Sequence, residues 1–155
     1  MREAKKAGLF VVMGVSLLAA TGFGPKHSPT PSNGAAAGQQ AIGHRVAVLK
    51  SGKPQQKAAA AYWLGQQHSA AAAAVDPLVN LLGDTTSVDP SGYRTSRAIQ
   101  KMTLGEEAAA ALVNIGHPAI EPLLRVLKNS PIPAARKNAA WALGALHDTG
   151  ATSQI

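Results

Sequence analysis

The sequence contains no cysteine, which excludes disulfide stapling, thiol nucleophiles and thiolate metal sites. Aromatic residues are only 4% of the chain: two Trp, two Tyr and two Phe. A core must therefore come from Ala, Leu, Val and Ile, and small side chains each remove little apolar area from water. Acids are scarce, eight Asp and Glu against fifteen Lys and Arg, giving a formal charge of +7 at pH 7. No tight carboxylate pair stands in a defined context. There is no G-x-S-x-G, no H-E-x-x-H and no P-loop pattern. No catalytic residues, cofactor or metal ligands are therefore assigned.

What is present is a phrase said three times: AAAAYWLGQQ at Ala58–Gln67, AAAALVNIG at Ala108–Gly116 and NAAWALGAL at Asn138–Leu146. Each is an Ala-rich helix closing on an anchor, Leu64, Leu112 or Leu143. A second apolar helix follows the first two, DPLVNLL at Asp76–Leu82 and EPLLRVL at Glu121–Leu127, and AIGHRVAVLK at Ala41–Lys50 matches AIEPLLRVLK at Ala119–Lys128. Anchors Leu112 and Leu143 are 31 residues apart, a normal two-helix period. Leu64 and Leu112 are 48 apart, so that unit carries extra residues in Ala70–Ala74 and mostly in Gly83–Met102. A lone helix pair cannot bury its apolar face, so the copies must stack. The expected fold is all-α, a solenoid of stacked antiparallel helix pairs.

These units resemble HEAT repeats of the short, Ala-rich kind shared with phycobilisome lyases, over Ala41–Ile155. Such units often open with Pro followed three residues later by a basic residue; Pro54/Lys57 and Pro133/Arg136 fit and Met102/Gly105 does not. The acid usual in the turn before that Pro is missing, with Gly52 and Ser130 in its place, which removes the acidic side of the ion-pair ladder common in such proteins. The resemblance implies that the second helices line a concave binding face. It also offers a lyase-type enzyme subunit or fragment as an alternative function, by analogy alone.

The N-terminus reads as an address. Arg2, Lys5 and Lys6 precede an apolar run from Ala7 to Ala20, and Ala20-Thr21-Gly22 has the small-x-small form of a cleavage site, so residues 1–22 are expected to be a signal peptide. An uncleaved membrane anchor is the alternative, although the run is short for a full span. Cleavage would lower the formal charge by two, through loss of Arg2, Lys5, Lys6 and Glu3. Residues 23–40, rich in Gly, Pro, Ser, Asn and Gln, are expected to be a flexible tether, with the repeat domain at 41–155 and an insertion at 83–102. The chain is thus expected to be extracytoplasmic.

Local signals add boundaries. Thr103 and Glu106 form a capping box, with Glu106 and Glu107 in the first turn. Gly116-His117-Pro118 ends that helix, Pro77 and Pro122 suit first turns, and Gly52, Gly83 and Gly150 mark turns. Tyr62 and Trp141 share a repeat position, two before the anchor, and are expected to pack between units. The insertion, with Asp89-Pro90-Ser91-Gly92, has turn chemistry and suits a loop, a short hairpin or a helical turn.

Function is expected to lie in binding. Tyr93, Arg94 and Arg97, with Lys101, make the insertion's basic part, suited to an anionic or protein partner. The second helices offer His44, Arg45 and Lys50, then Asp76 and Asn80, then Glu121, Arg125 and Lys128. The partner-binding candidates are Tyr93, Arg94, Arg97, Asn80, Glu121, Arg125 and Lys128, for a protein or peptide. Nucleic acid in a basic groove is a further alternative, disfavoured by the low density of Lys and Arg. His68, His117 and His147 follow their anchors by four or five residues, where the negative end of a helix dipole accounts for them.

Overall fold

The computed structural model describes residues 33–95 and 101–152, all within the unit Pro31–Ile155. The proposed signal segment at 1–22 lies outside the described residues, as do Arg97 and 153–155. The described residues form six α-helices and one short ribbon.

Helix α1, Asn33–Ser51, supplies the orphan second helix of the repeat. It starts well before Ala41, so the expected tether boundary at Gln40 falls inside a helix. Ala35–Ala37 and Gln39-Gln40 are strong helix formers and carry it outward without burying anything: Gly34–Gln40 are all exposed. Its useful end follows, where Ile42 and Leu49 are buried. The Gly52 amide closes the helix on the Val48 carbonyl at 2.8 Å. Lys53 is extended, as a residue before proline prefers, and Pro54 opens α2, Pro54–Gly65, at the position where a missing N–H does no harm.

Past α2 the chain tightens into 3₁₀ turns over His68–Ala74, which absorb the extra alanines, and then forms α3, Val75–Val79. The expected Asp76–Leu82 helix is α-helical only to Val79; Leu81 and Leu82 close shorter bonds to Leu78 and Val79, and Leu78 and Leu82 are fully buried. The insertion is both hairpin and helical turn. Strand β1, Ser87–Val88, pairs antiparallel with β2, Met102–Thr103, and a 3₁₀ turn at Pro90–Gly92 follows β1. Thr103 then caps α4, Leu104–Ile115: its hydroxyl accepts from the Glu106 amide at 3.2 Å, and its own amide donates to the Glu106 carboxylate at 2.9 Å.

Gly116, at φ 89°, ends α4, and α5, Ile120–Asn129, follows. Helix α6, Pro133–Thr152, completes the described chain and runs straight through Gly150, where a turn was expected. Gly144 and Gly150 cost helix propensity but the helix continues, because nothing at either position forces a left-handed backbone. Arg136, without the family's usual acid, donates instead to the Ser130 carbonyl at 2.8 Å.

Helices α2, α4 and α6 pack side by side as one layer, and α1, α3 and α5 pack onto them as a second. The anchors Leu64 and Leu112 are fully buried, as are Ala60, Ala108 and Ala139, one turn before each anchor. Leu143 is only half-buried, since no helix among the described residues stacks beyond α6. Small residues allow close approach: a Cβ on Gly65 would lie 3.0 Å from the Ala111 Cα. Gly105 is tighter still, where an added Cβ would sit 2.5 Å from the Leu82 carbonyl oxygen and 2.8 Å from Asn138 Nδ2. That amide donates to the Leu82 carbonyl at 2.8 Å, tying α6 to the end of the α3 segment.

Gly105→Ala should therefore destabilise the fold by about 1–3 kcal/mol, the usual cost of overpacking. Gly43→Ala, which meets nothing within 4 Å, should instead stabilise α1 slightly. Urea midpoints of the two variants test the contrast; equal midpoints would contradict this packing.

Candidate functional site

Two surfaces carry the residues singled out from sequence. The first is the seat of the insertion against α2 and α4. Glu107 lies on α4 just before the alanine run Ala108–Ala111 and is fully buried. Its carboxylate accepts from Tyr93 Oη at 3.0 Å, from Arg94 Nη2 at 2.7 Å and from Arg94 Nε at 3.3 Å. The Arg94 guanidinium also lies 4.8 Å from the centroid of the Tyr62 ring, which in turn packs against Tyr93 at 5.6 Å. A buried carboxylate needs such a counter-charge and hydrogen-bond shell.

The electrostatics follow from that shell. Burial pushes the Tyr93 phenol above its ordinary value, and the Glu107 charge and hydrogen bond push the same way. Burial opposes the charge on Arg94, but the Glu107 hydrogen bond and charge outweigh it and raise the group further. The insertion is anchored a second time by Gln55 on α2, whose side chain accepts from the Asp89 amide at 3.1 Å and donates to the Asp89 carbonyl. Pro90 and Val88 are buried beneath it.

Tyr93 and Arg94 are thus turned inward, with the Arg94 side chain 29% exposed. Tyr62 packs against the insertion, on Tyr93 and Arg94. Its counterpart Trp141 is 56% exposed.

The second surface is the α1/α3/α5 layer. Helix α5 is sharply two-sided: Leu123 is buried, while Glu121, Arg125, Lys128 and Asn129 are exposed. Arg125 lines a shallow groove of about 280 Å³ with Val79, Pro122 and Val126. Asn80 is exposed at the end of α3, next to Val79. On α1, Arg45 lies 5.4 Å from the Trp63 ring centroid, and His44 and Lys50 are exposed.

The histidines do not converge. His68 adopts φ 51°, and its Nδ1 sits 3.1 Å from the Asn114 carbonyl near the end of α4, a backbone tie at the negative end of a helix. His147 Nδ1 is 3.8 Å from Asp148 Oδ1 in an exposed pair. Among the described residues no group of three His, Asp or Glu is placed to hold a metal, and no helix is long and apolar enough to cross a membrane.

The paired-helix geometry agrees with a sequence-family model. The model described as PBS lyase HEAT-like repeat matches residues 56–84 and 106–129. The chain carries HEAT-like repeats. The two matched segments are the α2–α3 and α4–α5 units. No curated protein and no solved structure matches the chain.

Within the HEAT-like units, Glu107 was visible in sequence only as a first-turn acid. The signal that separates it from Glu106 is repeat register: the equivalent positions are Ala59 and Asn138, both on helix faces turned inward or half inward. A carboxylate at such a position requires a partner, although its identity lies in another segment.

Glu107→Gln removes the counter-charge of Arg94 and should cost about 1–3 kcal/mol, below the scale of a fully buried pair because the guanidinium still meets solvent. Increased protease cleavage near Tyr93 at unchanged helicity would locate the damage in the insertion. The cap of α4 responds to acid. The Thr103 amide hydrogen bond holds the Glu106 carboxyl below its ordinary value of 4.5, with partial burial opposing and the Thr103 hydroxyl and Lys137 assisting. Its contribution to stability is complete above that ordinary value and is lost as pH falls through the lower folded-state value. Denaturant midpoints from pH 7 to 3 should therefore fall less steeply for Glu106→Gln than for the wild type.

Proposed function

We propose that this chain is an exported, non-enzymatic interaction module that binds a protein or peptide on its α1/α3/α5 layer. The observation that carries the reading is the two-sided α5 helix. It spends its apolar face on the core and leaves Glu121, Arg125 and Lys128 in water beside the α3–α5 groove, with Asn80 on the neighbouring unit. A repeat-built layer of this kind offers extended area without chemistry of its own. The insertion lies against α2 and α4 instead, where Tyr93 and Arg94 are engaged with Glu107. The lyase in the family description does not transfer, since a shared repeat does not specify a reaction. Export rests on the basic, apolar and small-residue order of residues 1–22.

Affinity capture from the organism that encodes the chain, with the full chain and its Arg125→Glu/Lys128→Glu variant as baits, tests the surface. Both side chains are exposed, so the variant should keep the wild-type melting temperature. A partner retained by the wild type should be depleted at least tenfold by the variant. Equal retention would rule this surface out.

A further inference from the structure

The α2/α4/α6 layer has two neighbouring grooves with different contents. Between α2 and α4 the protein's own Tyr93 and Arg94 lie in place, with the guanidinium over Tyr62 and on Glu107. Between α4 and α6 a groove of about 420 Å³ is lined by Lys101, Met102, Glu106, Ala110, Lys137 and Trp141. That volume is in the usual range of ligand clefts, with room for one large side chain and its flanking backbone.

Repeat register shows how the second groove differs. Ala110 and Trp141 occupy the Tyr62 position, and Asn138 occupies the Glu107 position. Asn138 carries no charge, and its amide is committed to the Leu82 carbonyl. The acid that receives Arg94 in the first groove therefore has no counterpart here, and Lys101 and Lys137 add cations instead. Lys137 is 3.6 Å from Glu106, yet its side chain remains 75% exposed. Lys101 is exposed, and Trp141, 56% exposed, offers a large apolar surface beside them.

We propose that the α4/α6 groove docks an acidic segment of another protein, seating one large apolar side chain against Trp141 and Met102 and carboxylates on Lys101 and Lys137. Charge complementarity selects that occupant. A second copy of this chain, at +7, would bring like charge. Among the described lining residues, a nucleic-acid backbone would meet two cations and the Glu106 carboxylate on the same wall. An aromatic anchor within a polar rim is the usual make-up of a binding hot spot. The groove draws no lining residue from α1, α3 or α5, so the proposal stands apart from the surface proposed above.

The test is selection of a random displayed heptapeptide library on the immobilised full chain. Selected sequences should carry one large apolar residue flanked by Asp or Glu. In a Trp63→Phe background, where Trp141 is the sole tryptophan, binding should shift its emission to the blue. Kd should rise at least tenfold for Lys137→Glu, for Lys101→Glu and for Trp141→Ala, all exposed positions, with circular dichroism confirming the fold. Arg125→Glu/Lys128→Glu should leave Kd unchanged, which separates this site from the α3–α5 groove. Four results would each overturn the proposal: no enrichment, enrichment of basic or uncharged sequences, binding indifferent to the three variants, or displacement of the peptide by a single-stranded oligonucleotide with steep salt dependence.

Discussion

Everything in this fold depends on how closely alanine and glycine let the helices approach. Gly65 lies against Ala111, and Gly105 lies against the Leu82 carbonyl and the Asn138 amide, with no room for a Cβ at the second. Interfaces of this kind hold backbones near one another but bury little area per residue, so the anchors Leu64, Leu112, Leu78, Leu82 and Leu123 provide most of the bulk. A close-packed contact of backbone and small side chains has few ways to relax. That rigidity lets Asn138 reach the Leu82 carbonyl and tie the last helix to the end of the α3 segment.

The insertion compensates for what alanine leaves out. It adds Val88, Pro90 and the Tyr93 ring over the α2–α4 contact, and it is secured by Glu107 and Gln55. Glu107 is the decisive element because an ionised carboxylate is costly to bury unless it is paired and hydrogen-bonded. Once Tyr93 and Arg94 satisfy it, the inserted segment becomes a structural clamp. Exposed charge remains on α5 and on Lys50 of α1 in one layer, and on Lys101 and Lys137 beside the α4/α6 groove. The two proposed binding surfaces thus differ in chemistry: one is mixed in charge and shallow, the other sets two lysines and Glu106 around an aromatic anchor.

By itself the sequence determined the six-helix order, the repeat register, the Leu anchors, the Thr103–Glu106 cap and the glycine stop at Gly116, because each depends on residues within a few positions of one another. It misplaced the start of α1 and the end of α6: Ala-rich and Gly-containing segments carry little periodic signal, and helix ends there are set by propensity and by what they pack on. It marked Arg125, Lys128 and Glu121 as surface residues, since α5 alternates clearly between apolar and charged positions. Only the tertiary structure decided that Tyr93 and Arg94 turn inward, that Glu107 receives them, and that Trp141 is left open beside two lysines. Those outcomes depend on which groove lies beneath each side chain. Grooves are made by helices brought together from distant parts of the chain, as the Asn138–Leu82 bond is across 56 residues.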